Sequence, residues 1–142
     1  MAVRRGPLAM LLALGAAALG ASSCRAANAL EVDPARAAEL IRDHRADPDF
    51  VLLDLRTPPE FAAGHLEGAV NIDYYGAEFA ARIGALDRSK TYLVYCRTGN
   101  RSGKALPLFD RLGFGSVIHL THGIVAWQRQ GLPLTPAAGP TQ

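Results

Sequence analysis

The segment Tyr92-Leu93-Val94-Tyr95-Cys96-Arg97-Thr98-Gly99-Asn100-Arg101-Ser102 joins an apolar run to a polar loop that contains a single thiol. The apolar run is typical of a buried parallel strand. Apolar residues at helical spacing follow the loop, at Ala105, Leu108, Phe109 and Leu112. The segment therefore predicts a strand, a loop and a helix, with Cys96 at the carboxyl end of the strand.

The position of Cys96 indicates a reactive thiolate. Its sulfur would face the unpaired N–H groups of the loop and of the first helical turn. The stretch from Cys96 to Lys104 also carries three cations and no acid. Such surroundings favour the thiolate over the thiol and attract anions.

The rest of the chain alternates strand-like and helix-like segments. Phe50 to Leu53 is an apolar run followed by the charged group Asp54-Leu55-Arg56, and Gly113 is expected to end the helix that follows the thiol loop. Further strands are expected at 69–72 and 117–120, and further helices after Asp33 and Thr57, around Ile83 and over 123–130. This order predicts one α/β domain with a doubly wound central parallel sheet and helices on both faces. Ligands of such sheets bind at the carboxyl ends of the strands, where Cys96 lies.

The first 29 residues have the composition of an export leader. Arg4 and Arg5 precede an apolar stretch from Leu8 to Leu19 that is too short to span a bilayer comfortably. Ala27-Asn28-Ala29 would suit cleavage by a signal peptidase, whereas Ala21-Ser22-Ser23-Cys24 would suit lipidation at Cys24. We therefore expect an exported protein, either soluble in the periplasm or anchored to the membrane as a lipoprotein through Cys24.

The predicted domain spans 30–134, and the residues from 135 to 142 have the composition of a disordered tail. Without the three arginines of the leader, the 15 basic residues fall to 12, one fewer than the 13 acidic residues. This balance gives no indication of nucleic-acid binding. Either route of leader processing leaves Cys96 without a disulfide partner in its own chain.

Four groups of residues resemble, in order, the signatures of a single-domain rhodanese. They are Asp54-Leu55-Arg56 with Glu60-Phe61, the segment from Gly64 to Ile72, the segment from Tyr95 to Ser102, and Gly123-Ile124-Val125-Ala126-Trp127. The resemblance implies the rhodanese-like fold and a sulfurtransferase. Its catalytic residue would be Cys96, which takes the outer sulfur of thiosulfate or a related donor, holds it as a persulfide, and passes it to cyanide or a thiol.

The loop after Cys96 has the properties that this chemistry needs. Its backbone N–H groups can stabilise a terminal sulfur that carries negative charge, Gly99 allows the loop to curl, and Arg97 and Arg101 can orient an anionic donor. The candidate substrate-binding residues are Arg97, Thr98, Gly99, Asn100, Arg101 and Ser102. We expect no metal, because the four histidines lack ligand spacing, and no organic cofactor. The expected partners are a small anionic sulfur donor and a thiophilic acceptor, including a protein thiol.

Two alternatives stay open. Cysteine-dependent phosphatases and thiol arsenate reductases place five residues between their cysteine and arginine, whereas four residues separate Cys96 from Arg101. The loop is therefore expected to be too tight for phosphate. The second alternative is a non-catalytic or relay module that uses the fold to bind a partner, although such modules usually lack the cysteine.

Several other residues are interpreted as structural. We expect a brace beneath the site or a role in positioning the loop arginines for Asp54, Arg56 and Glu60, a structural role for His65, and a core position for Trp127. His119 alternates within an apolar strand, and His122 stands where the family usually has a glycine. Pro107 predicts that the helix after the loop begins late or bends, because proline removes a helical N–H.

Overall fold

A computed structural model describes residues 29–136 of the chain. Its sheet has five strands, all paired in parallel, in the order β1-β5-β4-β2-β3. The strands are β1 (Leu30–Val32), β2 (Phe50–Asp54), β3 (Val70–Asn71), β4 (Thr91–Tyr95) and β5 (Ser116–Leu120). The helices are α1 (Pro34–Asp43), α2 (Pro58–Ala62), α3 (Phe79–Gly84), α4 (Asn100–Arg111) and α5 (Gly123–Arg129).

The central strand β4 contributes to two cores, because successive side chains of a strand point to opposite faces. Leu93 and Tyr95 belong to the core that contains Trp127 of α5, together with Ala37 of α1. Tyr92 and Val94 belong to the core formed with α3 and α4, which contains Phe109. The predicted doubly wound α/β fold with helices on both faces is confirmed.

The hydrogen-bond register places β2 and β4 side by side, with Asp54 opposite Tyr95. Beyond these strands, the Leu55 N–H donates to the Tyr95 carbonyl over 2.9 Å. Cys96 and the Asp54-Leu55-Arg56 group therefore lie at the same edge of the sheet, as the sequence predicted.

The helix after the thiol loop does not begin late, which is one of the two effects expected of Pro107: α4 starts at Asn100 and continues through this proline, whose side chain is exposed. The N–H of Gly103 already bonds the Gly99 carbonyl, so the helix is established before the proline is reached. A bend, the other expected effect, stays a prediction.

Thr135 was expected to begin the disordered tail, but it forms a backbone bridge with His65. The paired backbone thus extends one residue beyond the predicted domain.

The predicted leader up to residue 28, including Cys24, and residues 137–142 of the predicted tail lie outside the described residues. Between residues 29 and 136, no helix is both long enough and apolar enough to cross a membrane.

Candidate active site

Cys96 follows β4 directly, and only 1% of its surface is exposed. Its Sγ accepts hydrogen bonds from the Gly99 N–H at 3.1 Å and from the Ser102 hydroxyl at 3.3 Å. Gly99 caps the N-terminus of α4 with a φ of 90°, a conformation that glycine adopts readily. The loop therefore curls around the sulfur, as its sequence predicted.

Burial and hydrogen bonding act in opposite directions on the Cys96 thiol. Burial raises its pKa, because a charged sulfur loses water. The Ser102 hydroxyl and the backbone N–H groups of Ser102, Thr98 and Gly99 lower it by stabilising the thiolate. The hydrogen bonds outweigh burial, so the pKa of Cys96 lies below its usual value. This is the environment of a nucleophilic cysteine.

The start of α5 holds the other side of the loop. The Ile124 N–H donates to the Cys96 carbonyl at 3.0 Å, and the Val125 N–H donates to the Arg97 carbonyl at 3.1 Å. These bonds fix the peptide groups next to the thiol. Sequence reasoning placed α5 correctly but did not predict that it braces the loop.

Gly123 makes this approach possible. A Cβ atom at this position would lie 2.5 Å from the Cys96 carbonyl oxygen and 2.6 Å from the carbonyl group of Arg97. The preceding residue, His122, has a φ of 61°. The histidine therefore adopts the left-handed conformation that a glycine would take there, at an energetic cost.

The two loop arginines differ in their surroundings. Both terminal nitrogens of Arg101 donate to Glu60, each at 2.8 Å, and the side chains of Arg101 and Glu60 are 12% and 28% exposed. The guanidinium also lies 5.5 Å from the ring centroid of Tyr75. Arg97 is exposed and forms no ion pair with any residue from 29 to 136. The Arg101 guanidinium is thus occupied by Glu60 and that of Arg97 is not, and the prediction that both arginines orient an anion stays a prediction.

Glu60 is fixed in turn by the capping box of α2. The N–H and the hydroxyl of Thr57 donate to the Glu60 carboxylate at 3.0 Å and 2.9 Å. The hydrogen bonds from Arg101 lower the pKa of Glu60 most, burial raises it, and the net result is a value of about 2. Glu60 therefore positions a loop arginine, one of the two roles that the sequence left open.

Asp54 and Arg56 form a buried brace, which is the other role that the sequence left open. The Arg56 guanidinium donates to both carboxylate oxygens of Asp54, with distances from 2.7 to 3.0 Å, and to the Gly64 carbonyl. Asp54 is fully buried, and Arg56 is 6% exposed. This pair ties the end of β2 to the turn before Leu66, next to the thiol loop.

His119 is the residue that sequence reasoning missed. It is 5% exposed, and its Nε2 lies 2.9 Å from the Ser102 hydroxyl oxygen, which contacts Cys96. The alternation of His119 within its strand could be predicted from the sequence. The rotation of α4 that turns Ser102 towards Cys96 and His119 could not. His65 and Trp127 are structural, as predicted: His65 stacks on Phe61, and Trp127 is buried.

The remaining predicted site residues differ in exposure. Thr98 and Asn100 are exposed, like Arg97, whereas Ser102 is fully buried. Within the described range 29–136, no cluster of histidine, cysteine and acidic residues is placed to hold a metal ion. The site consists of an activated thiol at the base of a small, polar, cationic loop.

Comparisons with known proteins show which family the chain is similar to. The family described as "Rhodanese-like domain" matches residues 35–130. A protein named "Sulfurtransferase" from Allochromatium vinosum is 34% identical over 91 residues, which cover 64% of this chain and 83% of that protein. A "Probable adenylyltransferase/sulfurtransferase MoeZ" from Mycobacterium tuberculosis is 36% identical over 84 residues, which cover 59% of this chain but only 21% of that protein.

A solved structure also matches. The crystal structure of a rhodanese-related protein from Thermoplasma volcanium superposes with a TM-score of 0.64 at 28% sequence identity. The match covers 75% of this chain and 97% of that one. The similarity therefore extends over nearly the whole of that solved chain, whereas it covers about a fifth of the Mycobacterium tuberculosis protein.

Proposed function

This chain belongs to the rhodanese-like domain family, and we propose that it transfers sulfane sulfur from thiosulfate or a related anionic donor to a thiophilic acceptor through a persulfide on Cys96. Its sulfurtransferase relatives support an enzyme of the rhodanese type. The observation that carries the proposal is the Cys96 thiol, whose pKa is lowered by the hydrogen bonds of its own loop despite its burial. A residue placed only for packing would not need these donors.

The proposed reaction has two steps. The Cys96 thiolate attacks the outer sulfur of thiosulfate, a bond forms between Sγ and that sulfur, and sulfite leaves with the electron pair of the broken sulfur–sulfur bond. Cyanide or an acceptor thiolate then attacks the outer sulfur of the persulfide. This second attack breaks the bond to Sγ and regenerates the Cys96 thiolate.

The loop suits a negatively charged sulfur at both stages. The Gly99 N–H and the Ser102 hydroxyl point at Sγ before transfer. The persulfide then extends from Sγ towards the loop, where preorganised N–H groups stabilise its anionic terminal atom. Because Cys96 is only 1% exposed, the donor has to present its reacting sulfur at a projecting end, as thiosulfate does.

Arg97 is the cation that we assign to donor binding. It is exposed at the mouth of the loop, whereas the Arg101 guanidinium is held by Glu60. We therefore assign Arg101 to shaping the loop. This assignment also disfavours phosphate chemistry, since the loop is short and its second arginine is committed to a carboxylate.

We also propose that the protein is exported. The support is in the sequence: Arg4 and Arg5, the apolar stretch from Leu8 to Leu19, and the two alternative processing sites at Ala29 and Cys24. Processing after Ala29 gives a soluble periplasmic protein, and processing at Cys24 gives a lipid-anchored one. The mass of the mature chain, measured with its partition into detergent, distinguishes the two products; a cytosolic chain that retains Met1 would contradict both.

The activity is tested by thiocyanate formation from thiosulfate and cyanide. The wild-type protein is expected to turn over, and Cys96→Ser is expected to lose turnover while keeping its circular dichroism spectrum. Cys24→Ser, tested in the unprocessed chain, is the matched control, because it removes the other cysteine and is expected to retain activity. Turnover by Cys96→Ser, or a wild-type protein without turnover, would contradict the proposal and, in the second case, favour a binding module.

A further inference from the structure

Behind the reactive thiol, the Ser102 hydroxyl leads on to a buried histidine, His119, that the proposed sulfur transfer does not itself use. The Ser102 hydroxyl oxygen is 3.3 Å from the Cys96 Sγ and 2.9 Å from the His119 Nε2. Both Ser102 and His119 are buried, at 0% and 5% exposure. Buried polar groups are retained at a cost, so this arrangement calls for an explanation.

The other side of the His119 ring gives a second, independent observation. Its Nδ1 is buried and has no hydrogen-bond partner within residues 29–136. This atom faces the Glu31 carboxylate, whose nearer oxygen is 3.6 Å away on the neighbouring strand β1. The carboxylate is 66% exposed and therefore retains its contact with water.

The Glu31 carboxylate selects the tautomer of the ring. An anion facing Nδ1 favours a proton on that nitrogen, since a lone pair there would be repelled. The lone pair is then on Nε2 and points at the Ser102 hydroxyl. In this state Ser102 can donate to Nε2 and accept from a Cys96 thiol. Donors and acceptors therefore match from Sγ through the Ser102 hydroxyl to Nε2.

Resting on the proposed function, we infer that His119 is a positioning residue that receives the Cys96 proton through Ser102 and holds it opposite Glu31 while Cys96 is a thiolate. The Sγ–H bond breaks as an O–H bond forms on Ser102. Ser102 gives its original proton to Nε2. The products are a thiolate and an imidazolium, so the total charge and the number of protons are unchanged.

The hydrogen bonds also match after the proton has moved. The imidazolium donates from Nε2 to the Ser102 oxygen, and Ser102 now donates to the thiolate. The Nδ1–H remains directed at Glu31, whose negative charge stabilises the cation. The same hydrogen-bonded contacts are therefore kept in both charge states. Only the direction of donation along Sγ, the Ser102 hydroxyl and Nε2 is reversed, and no side chain has to rotate.

Proton-exchanging groups reach the His119 ring from three elements. They are Glu31 from β1, Ser102 from α4 and, through Ser102, the Cys96 thiol at the end of β4. Burial lowers the pKa of His119, while Glu31 and the backbone of Gly99 act in the opposite direction. Burial thus works against the imidazolium, and the facing Glu31 carboxylate is the group that supports it.

The inference is tested by titrating the Cys96 thiol without any sulfur donor. The experiment uses the full-length chain with Cys24→Ser, in which Cys96 is the only cysteine, and follows the ultraviolet absorbance of the thiolate against pH. His119→Gln and Ser102→Ala are each expected to raise the pKa of Cys96 by about one unit, a tenfold fall in thiolate fraction below that pKa. The double variant is expected to give the shift of one single variant, because both break the same path.

One further variant keeps the test decisive if a buried substitution unfolds the protein. Glu31→Gln changes an exposed carboxylate and is expected to raise the Cys96 pKa and lower the His119 pKa, the latter followed by NMR of the imidazole. Glu39→Gln and His65→Gln are the matched controls, on the α1 surface and beside Phe61, and are expected to leave the Cys96 titration unchanged.

A Cys96 titration that does not respond to His119→Gln or to Glu31→Gln would overturn the inference, and a shift in Ser102→Ala alone would show that the serine acts without the histidine. The titration contains no sulfur donor, so its outcome is separate from that of the sulfur-transfer assay. If the Cys96 pKa responds to the variants as expected but no thiocyanate forms, the proposed function is contradicted. If thiocyanate forms but the Cys96 pKa does not respond to the variants, only the role of His119 is contradicted.

Discussion

The pairing of Glu60 with Arg101 predicts how substitutions at these two positions combine. Glu60→Gln and Arg101→Gln each remove one partner of a two-bond contact, with both distances at 2.8 Å. If Arg101 shapes the loop through Glu60, the two single variants should lose similar stability, and the double variant should lose little more than either one. If Arg101 instead binds the donor directly, Glu60→Gln should free it and leave the KM for thiosulfate unchanged or lower.

The size of the effect follows from the environment of the pair. Hydrogen bonds to charged groups contribute about 1.5–3 kcal/mol when the contact is protected from water. The side chains of Arg101 and Glu60 retain 12% and 28% exposure, which reduces the contribution towards the lower end. We therefore expect each single variant to lose about 2 kcal/mol in free energy of unfolding, with a coupling energy of similar size.

Chemical denaturation of the wild type, both single variants and the double variant measures this coupling. The same series should depend on pH, because the folded-state pKa of Glu60 is about 2, below its usual 4.5. A lowered carboxyl pKa stabilises the fold above the unfolded-state value, and this stability is lost as the pH falls from 4.5 towards 2. The advantage of the wild type over Glu60→Gln should shrink over this range. Additive losses, or a difference that does not change with pH, would show that Arg101 and Glu60 do not stabilise the fold as a pair.

Three further predictions concern the loop and its supports. Gly123→Ala should abolish sulfur transfer by displacing the Cys96 carbonyl, whereas Gly131→Ala, with a similar positive φ but no atom within 4 Å of the new Cβ, should retain activity and lose only about 1–2 kcal/mol in thermal unfolding; equal effects would contradict the close approach of α5. Arg56→Ala should lower the free energy of unfolding by about 3–5 kcal/mol, because it leaves the Asp54 charge buried without a partner. The exposed Arg42→Ala is its control and should change that free energy by less than about 0.5 kcal/mol. Arg97→Ala should raise the KM for thiosulfate about tenfold with little change in kcat, as measured by initial rates, and an unchanged KM would remove Arg97 from donor binding.

Most of the fold could be predicted from the sequence because local and periodic signals agreed. The apolar run before Cys96, the helical spacing of apolar residues after the loop, and the proline-containing helix starts at Asp33 and Thr57 all depend on residues near one another in the chain. The short strand β1 was not predicted as a separate element, since three residues are too few to show a period. Its place in the sheet depends on pairing with β5, which is distant in sequence.

The site was predictable in its centre but less so in its surroundings. The position of Cys96 and the curl at Gly99 follow from a strand end and from the flexibility of glycine. The partner of Arg101 could not be read from the loop alone, because Glu60 lies 41 residues away and its rotamer is set by the α2 capping box. The contact of His119 with Ser102 likewise required the register of β5 beside β4 and the rotation of α4.

Intact-mass analysis of the protein after incubation with thiosulfate shows whether Cys96 carries the transferred sulfur. We expect a gain of one sulfur atom, located on the peptide that contains Cys96, released as thiocyanate on addition of cyanide, and absent from Cys96→Ser. No sulfur adduct on the wild type, or an equal adduct on Cys96→Ser, would show that Cys96 is not the carrier.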